Sequence, residues 1–133
     1  MSKKQLYWNC IEACSRDDIK KLPNTIQGVY IMENVFLDVF YIGKTEKQYI
    51  RTRIDQHYGP QEENEVIVSE INNNYPICIS YAEVNEKDIP GVEQYLKEFF
   101  NPKGNSNEPC SEGSIECSLP SRLEEIYSLK FFR

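Results

Sequence analysis

One stretch constrains the fold more than any other. Residues Gly28 to His57 read GVYIMENVFLDVFYIGKTEKQYIRTRIDQH. Gly28-Val29-Tyr30 opens a run of strand formers, Asn34 to Asp38 supplies a polar break, and Phe40-Tyr41-Ile42 returns as a second strand ending at Gly43. Two apolar and aromatic runs around a short break predict an antiparallel hairpin. The pattern then changes period. Ile50, Arg53, Ile54 and His57 recur at i, i+3, i+4 and i+7, so one helix face carries all four. The isoleucines call for a core. An arginine on the same face is costly to bury unless it is paired. The consistent arrangement points Arg53 and His57 into a cleft beside the hairpin. A cation and an imidazole beside tyrosines on a rigid sheet suit the handling of phosphate.

Those residues resemble the GIY-YIG nuclease signature. Gly28-Val29-Tyr30 stands for its first tripeptide and Tyr41-Ile42-Gly43 for its second, with Lys44 directly after and Ile50-x-x-Arg53-x-x-x-His57 on the helix that follows. Glu93, Pro102 and Asn105 come later in the order and spacing of the family's excision-repair and restriction members. The resemblance covers about residues 22–105. It implies an α/β (α+β) fold with a small three-stranded antiparallel sheet flanked by helices. It also implies metal-dependent hydrolysis of phosphodiester bonds, with DNA as the expected nucleic acid.

The resemblance gives each position a role. Tyr30 would help activate the attacking water, and Tyr41 would position the phosphate. Lys44 would stabilise a tyrosinate or a phosphate oxygen, and Arg53 would neutralise developing charge. Glu93 would be the one protein ligand of Mg²⁺ (or Mn²⁺), with Asn105 orienting the metal shell or holding the Glu93 loop. His57, the only histidine in the chain, would assist the base. Arg51 competes with Arg53 by distance from Gly43, but only Arg53 shares the Ile50/Ile54 stripe. Gly28 is expected where backbone comes close, and Gly43 where the chain turns from strand to helix. A salt bridge between Glu93 and Arg53 is the plain structural alternative to a metal site.

The 133 residues are enough for one domain. Its expected parts are a leader over 1–21, a core over about 22–105, and a loop with a short C-terminal helix over 106–133. Ser15 with Asp18 marks a helix start in the leader. Val66 to Ile71 has helical spacing, Ile77 to Val84 reads as the third strand, and Pro90 to Phe100 as a helix with Glu93 on its apolar stripe. Ser121-x-x-Glu124 has capping-box spacing before Leu123, Ile126 and Tyr127. Phe131 and Phe132 are expected to dock on the body or meet a partner.

Five cysteines at irregular spacing do not make a zinc module, which needs four well-spaced ligands. Free thiols in a reducing cytoplasm are expected, hence an intracellular protein. No run reaches the length of a membrane span. Fifteen basic against twenty-one acidic residues give a net charge of −6. Phosphate contacts by Lys and Arg supply most nucleic-acid affinity, so a nuclease with this balance must segregate its charge. Lys44, Lys47, Arg51 and Arg53 against Glu46 and Asp55 form a basic run, while Glu62, Glu63 and Glu65 belong to an acidic stretch outside it. A small basic cleft on an acidic body is the expectation. Two alternatives stay open: a non-cutting scaffold of the same fold, and a catalytic subunit whose protein partner supplies the DNA affinity.

Overall fold

In the computed structural model, which describes residues 3–106, 108 and 113–131, four strands form one antiparallel sheet. They are β1 (Asn9–Ala13), β2 (Gly28–Glu33), β3 (Val39–Lys44) and β4 (Ile77–Glu83), in the spatial order β1-β4-β2-β3. The sequence reading expected three strands; the fourth is β1, inside the segment read as a leader. Its period-2 signal is weak because it is a five-residue edge strand whose side chains are mostly exposed, with only Ala13 buried.

β2 and β3 form the expected hairpin. Tyr30 lies opposite Gly43 and Met32 opposite Tyr41, so these four share a face. The register shifts between Met32 and Glu33, which makes Phe40 the extra residue of a bulge. β2 lies between β3 and β4, and all six of its residues are buried.

Each face of the sheet has its own core. On one side Tyr30, Met32, Ile77 and Ile79 pack with Ile50 and Ile54 of α1 (Ile50–His57), Ile67 of α2 (Glu65–Asn72), and Ile19 of the 3₁₀ turn Arg16–Lys21. That turn is tied to α1 by a two-pronged pair, Arg16 to Asp55 at 3.0 and 2.9 Å. The expected cap at Ser15 opens this 3₁₀ turn, and the Asp18 carboxylate accepts the backbone N–H of Cys14 and Ser15.

On the other side Val29, Ile31 and Ile42 pack with Ile89, Val92, Leu96 and Phe100 of α3 (Ile89–Phe100) and with Leu123 of α4 (Ser121–Phe131). Pro90 sits in the first turn of α3, where its missing N–H costs nothing. Asn101 ends the helix in the left-handed region at φ 47°. α4 is pinned by Arg122, which makes bonds of 3.0 and 2.6 Å to the buried Glu33 carboxylate. Phe132 lies outside the described residues, so its expected docking finds no answer there.

The extended segment before β1 is laced to the segment before α4. Lys4 N–H donates to Glu116 O, Ser118 N–H to Lys4 O, Leu6 N–H to Ser118 Oγ, and the Trp8 indole to Ser118 O. Among the described residues no helix is long and apolar enough to cross a membrane.

Candidate active site

Gly28 and Gly43 make the site possible by being small. A Cβ on Gly28 would lie 2.0 Å from the Ala82 carbonyl oxygen, so this glycine serves strand packing. Gly43 belongs to β3 and is not at a turn, contrary to the expectation from sequence. Its cross-strand partner Tyr30 lays its ring over it: a Cβ there would meet Tyr30 Cζ at 2.1 Å and Oη at 2.3 Å.

The Tyr30 hydroxyl is thereby aimed at α1, where it lies 2.6 Å from His57 Nε2. Tyr41 completes the aromatic layer, its ring centroid 6.2 Å from that of Tyr30 and 5.2 Å from that of His57. Tyr30 is fully enclosed, whereas Tyr41 keeps 8% of its surface exposed and is the nearer of the two to solvent. Burial pushes both phenols up, Tyr30 well above its usual range and Tyr41 to about 12, with Tyr41 and Glu108 as the respective next contributors.

His57 is buried, and burial holds its imidazole below the usual value against the pull of Glu62. The Glu62 carboxylate meets the other ring nitrogen, Nδ1. Burial works to raise Glu62, but hydrogen bonds from His57 and the Asn64 N–H outweigh it and keep the carboxyl below its ordinary value. An ionised carboxylate can only accept, so Nδ1 carries the proton and Nε2 is left to accept from Tyr30. Glu62 comes from the acidic stretch that the sequence reading set outside the basic run; the structure places its side chain against His57.

Arg53 is half-buried on α1, with a 3.4 Å bond to Gln56. Its charge is felt at Tyr30, Tyr41, His57 and Glu62, whereas that of Arg51 is felt at Asp55 on the outer face. The two arginines therefore act on different neighbours.

Glu93 lies on the inward stripe of α3 and is 4% exposed. The salt bridge to Arg53 weighed from the sequence is not among its ion pairs. The Glu93 carboxylate lies instead 3.6 Å from Lys44 Nζ at the end of β3 and 3.6 Å from Lys97 Nζ one turn on. Burial raises its pKa, and the two ammonium groups offset part of that rise. Lys44 also pairs with Glu46 at 3.0 Å. Burial lowers Lys44, but the two carboxylates outweigh it and leave the ammonium above its ordinary value. Lys97 continues to Glu108 at 3.4 Å.

Asn105 is buried and plugs the free edge of β3. Its Oδ1 accepts the Ile42 N–H and its Nδ2 donates to Ile42 O, each at 2.8 Å, with a further 2.9 Å bond to Glu108. In effect it replaces a neighbouring strand.

The site thus gathers Tyr30, Tyr41, Lys44, Arg53, His57 and Glu93 around the end of the hairpin. It adds Glu62, Lys97 and Glu108, which sequence reasoning left out. Only Lys97 had a usable signal, the i+4 spacing from Glu93. The expected basic cleft is also revised. Lys44, Arg53 and Lys97 face Glu46, Glu62, Glu93 and Glu108, so the cleft carries no cationic excess among these residues.

Glu93 offers one hard oxygen donor on a rigid helix, held by long ion pairs. That suits Mg²⁺ or Mn²⁺, ions that keep most of their waters and take few carboxylates. No group of three or more His, Cys, Asp or Glu side chains able to hold a metal occurs among the described residues.

Comparison with curated proteins gives no match. The family model of the GIY-YIG catalytic domain matches residues 26–107, from just before β2 to just past Asn105. The chain belongs to the GIY-YIG family of nuclease domains.

Proposed function

We propose that this protein is an endonuclease that hydrolyses phosphodiester bonds in DNA with one divalent ion, Mg²⁺ or Mn²⁺, held by Glu93. The observation that carries the reading is the convergence of four different elements on one spot. The Tyr30 hydroxyl of β2 meets His57 of α1 at 2.6 Å, and the buried Glu93 of α3 lies beside Lys44 of β3. When bound, the ion would act as a Lewis acid on the phosphate and offset the carboxylates of the cleft.

The chain's own groups divide the remaining work. Tyr30 takes a proton from the attacking water while its own moves to His57 Nε2. Arg53, whose charge is felt at both tyrosines, stabilises charge building on the phosphate oxygens. Lys44 holds Glu93 in place and offers a second cation to the phosphate. Tyr41, the more exposed phenol, positions the substrate. Asn105 acts on this site through β3, by fixing Ile42 and with it the strand that presents Tyr41 and Lys44.

The test is nicking of supercoiled plasmid and of branched DNA at low salt with Mg²⁺ or Mn²⁺. Wild type is expected to cut and Glu93→Gln to be silent. Equal cutting by both would refute the assignment of Glu93.

One observation favours a second reading. With four carboxylates among its charges, the cleft offers DNA little electrostatic attraction, so a protein partner would supply it. Cutting that is absent from the isolated chain but restored by fusion to a DNA-binding domain would establish that form. Silence of the fused wild type would leave a non-cutting scaffold.

A further inference from the structure

The Glu62 carboxylate sits where the sequence gives no reason for one. Its Oε1 meets His57 Nδ1, and its Oε2 accepts the N–H groups of Glu63 at 2.9 Å and Asn64 at 3.2 Å. The loop that carries it is locked at its far end. Asn64 Oδ1 caps α2 through the N–H groups of Val66 and Ile67, and Asn64 Nδ2 donates to Gly104 O at 2.8 Å. The side chain of Glu62 is only 11% exposed. A backbone carbonyl could have held the imidazole as firmly without the cost of burying a charge. A charge at this point has its effect when the imidazole gains a proton.

We propose that Glu62 is a positioning residue that holds the His57 Nδ1–H, so that Tyr30, His57 and Glu62 form one proton relay. This rests on the reading of Tyr30 as the base. In the step, an O–H bond of water breaks and its proton bonds to Tyr30 Oη. The Tyr30 proton passes to His57 Nε2, and the hydroxide oxygen bonds to phosphorus. The bond from phosphorus to the leaving oxygen breaks, and that oxygen takes a proton from solvent. The imidazolium rests against Glu62 and resets by the reverse shift, its proton returning to Tyr30 as Tyr30 releases one to solvent. Four groups face the imidazole: Tyr30 from β2, Tyr41 from β3, Arg53 from its own helix, and Glu62 from the loop. Of these, Glu62 alone favours the protonated ring, and Arg53 opposes it.

His57 is the only histidine, so its ring nitrogens can be read by NMR without DNA or metal. The wild type is expected to carry its proton on Nδ1 above the titration. In Glu62→Gln the titration should move to lower pH, and the acid limb of the cutting profile should move with it. The plateau should fall roughly 10- to 100-fold, by analogy with the loss when the hydrogen-bond partner behind a metal-bound histidine is removed. Glu62→Asp should recover part of the rate. A wild-type proton on Nε2 would overturn the proposal, and that measurement decides even if Glu62→Gln fails to fold. So would a Glu62→Gln variant whose titration and cutting match the wild type. If that variant cuts fully while Glu93→Gln is silent, the relay falls and the nuclease reading stands. If the wild type cuts no DNA, either alone or fused to a DNA-binding domain, the nuclease reading fails and the relay with it, whatever the ring spectrum shows.

Discussion

Replacing Gly43 by alanine tests the hairpin and the site together. Gly→Ala in a strand ordinarily stabilises by about 0.4–1 kcal/mol where the backbone permits it, because the unfolded chain loses freedom. Here the sign reverses. The new methyl carbon would sit 2.1 Å from Tyr30 Cζ, whereas carbon atoms pack at about 3.5–4.0 Å. The ring must retreat by roughly 1.5 Å, and it is fully enclosed, between Tyr41 and His57. Overpacking of this kind costs about 1–3 kcal/mol. A shift of that size also breaks the 2.6 Å bond to His57, and leaving buried polar groups unpaired costs about 1–3 kcal/mol more. The sum, about 2–6 kcal/mol, lowers Tm by roughly 8–24 °C for a chain of this size. Cutting should drop about 100-fold at temperatures where the variant is folded, as expected for a misplacement near 1 Å. Thermal unfolding, the His57 ring spectrum and plasmid nicking read the three effects. A Tm within about 2 °C of wild type with an unchanged ring spectrum would refute the packing argument.

Other substitutions separate stability from chemistry. Burial raises the Glu93 pKa above its unfolded value, so the native state holds the proton more tightly. Stability from this group is therefore present below the unfolded pKa and lost as pH rises through the folded one. Glu93→Gln should then unfold at or above the wild-type temperature at pH 7 while losing activity, and thermal melts from pH 4 to 8 check this. Asn105→Asp keeps an acceptor for Ile42 N–H but sets an oxygen against Ile42 O and the Glu108 carboxylate. A loss of about 2–4 kcal/mol in urea unfolding is expected. Arg122→Met strands the buried Glu33 carboxylate. Because the arginine is itself half-exposed, the expected loss is about 2–3 kcal/mol, below the range for fully buried pairs. The double variant Glu33→Met/Arg122→Met should recover most of it in the same assay.

How much of this was legible depended on whether a residue's partner is local or distant. The hairpin follows from two runs around a break, and the inward direction of His57 and Glu93 follows from helix period alone, because Ile50, Ile54, Val92 and Leu96 fix which face is buried. β1 was missed because an exposed edge strand of five residues leaves almost no alternation. Gly43 was assigned to a turn because sequence shows that a glycine is needed but not what presses on it; the Tyr30 ring is visible only through cross-strand register. Glu62 was lost in a run of acids that reads as solvated, since nothing in its spacing points to His57. Asn105 was given a role at the metal shell or in holding the Glu93 loop; its bond to Ile42 could not be read from sequence, because the two lie 63 positions apart. Lys97 was left out, although its i+4 spacing from Glu93 already set the pair.

The strand order has a consequence for how the molecule assembles. β2 meets β3 through a short local turn, but its other neighbour is β4, which arrives only after α1 and α2, and β1 waits for β4 in turn. Loop closure over such distances is slow and precedes the contacts that reward it. The hairpin bearing both signature tyrosines is therefore expected to form early. Tyr30 then remains open to water until β4 and α1 close over it. The lacing of the Lys4 to Trp8 segment onto Glu116 and Ser118 spans more than a hundred positions and belongs to the last stage. During synthesis every residue of the candidate site leaves the ribosome before the segment that completes the second core layer, so the site is assembled ahead of its support.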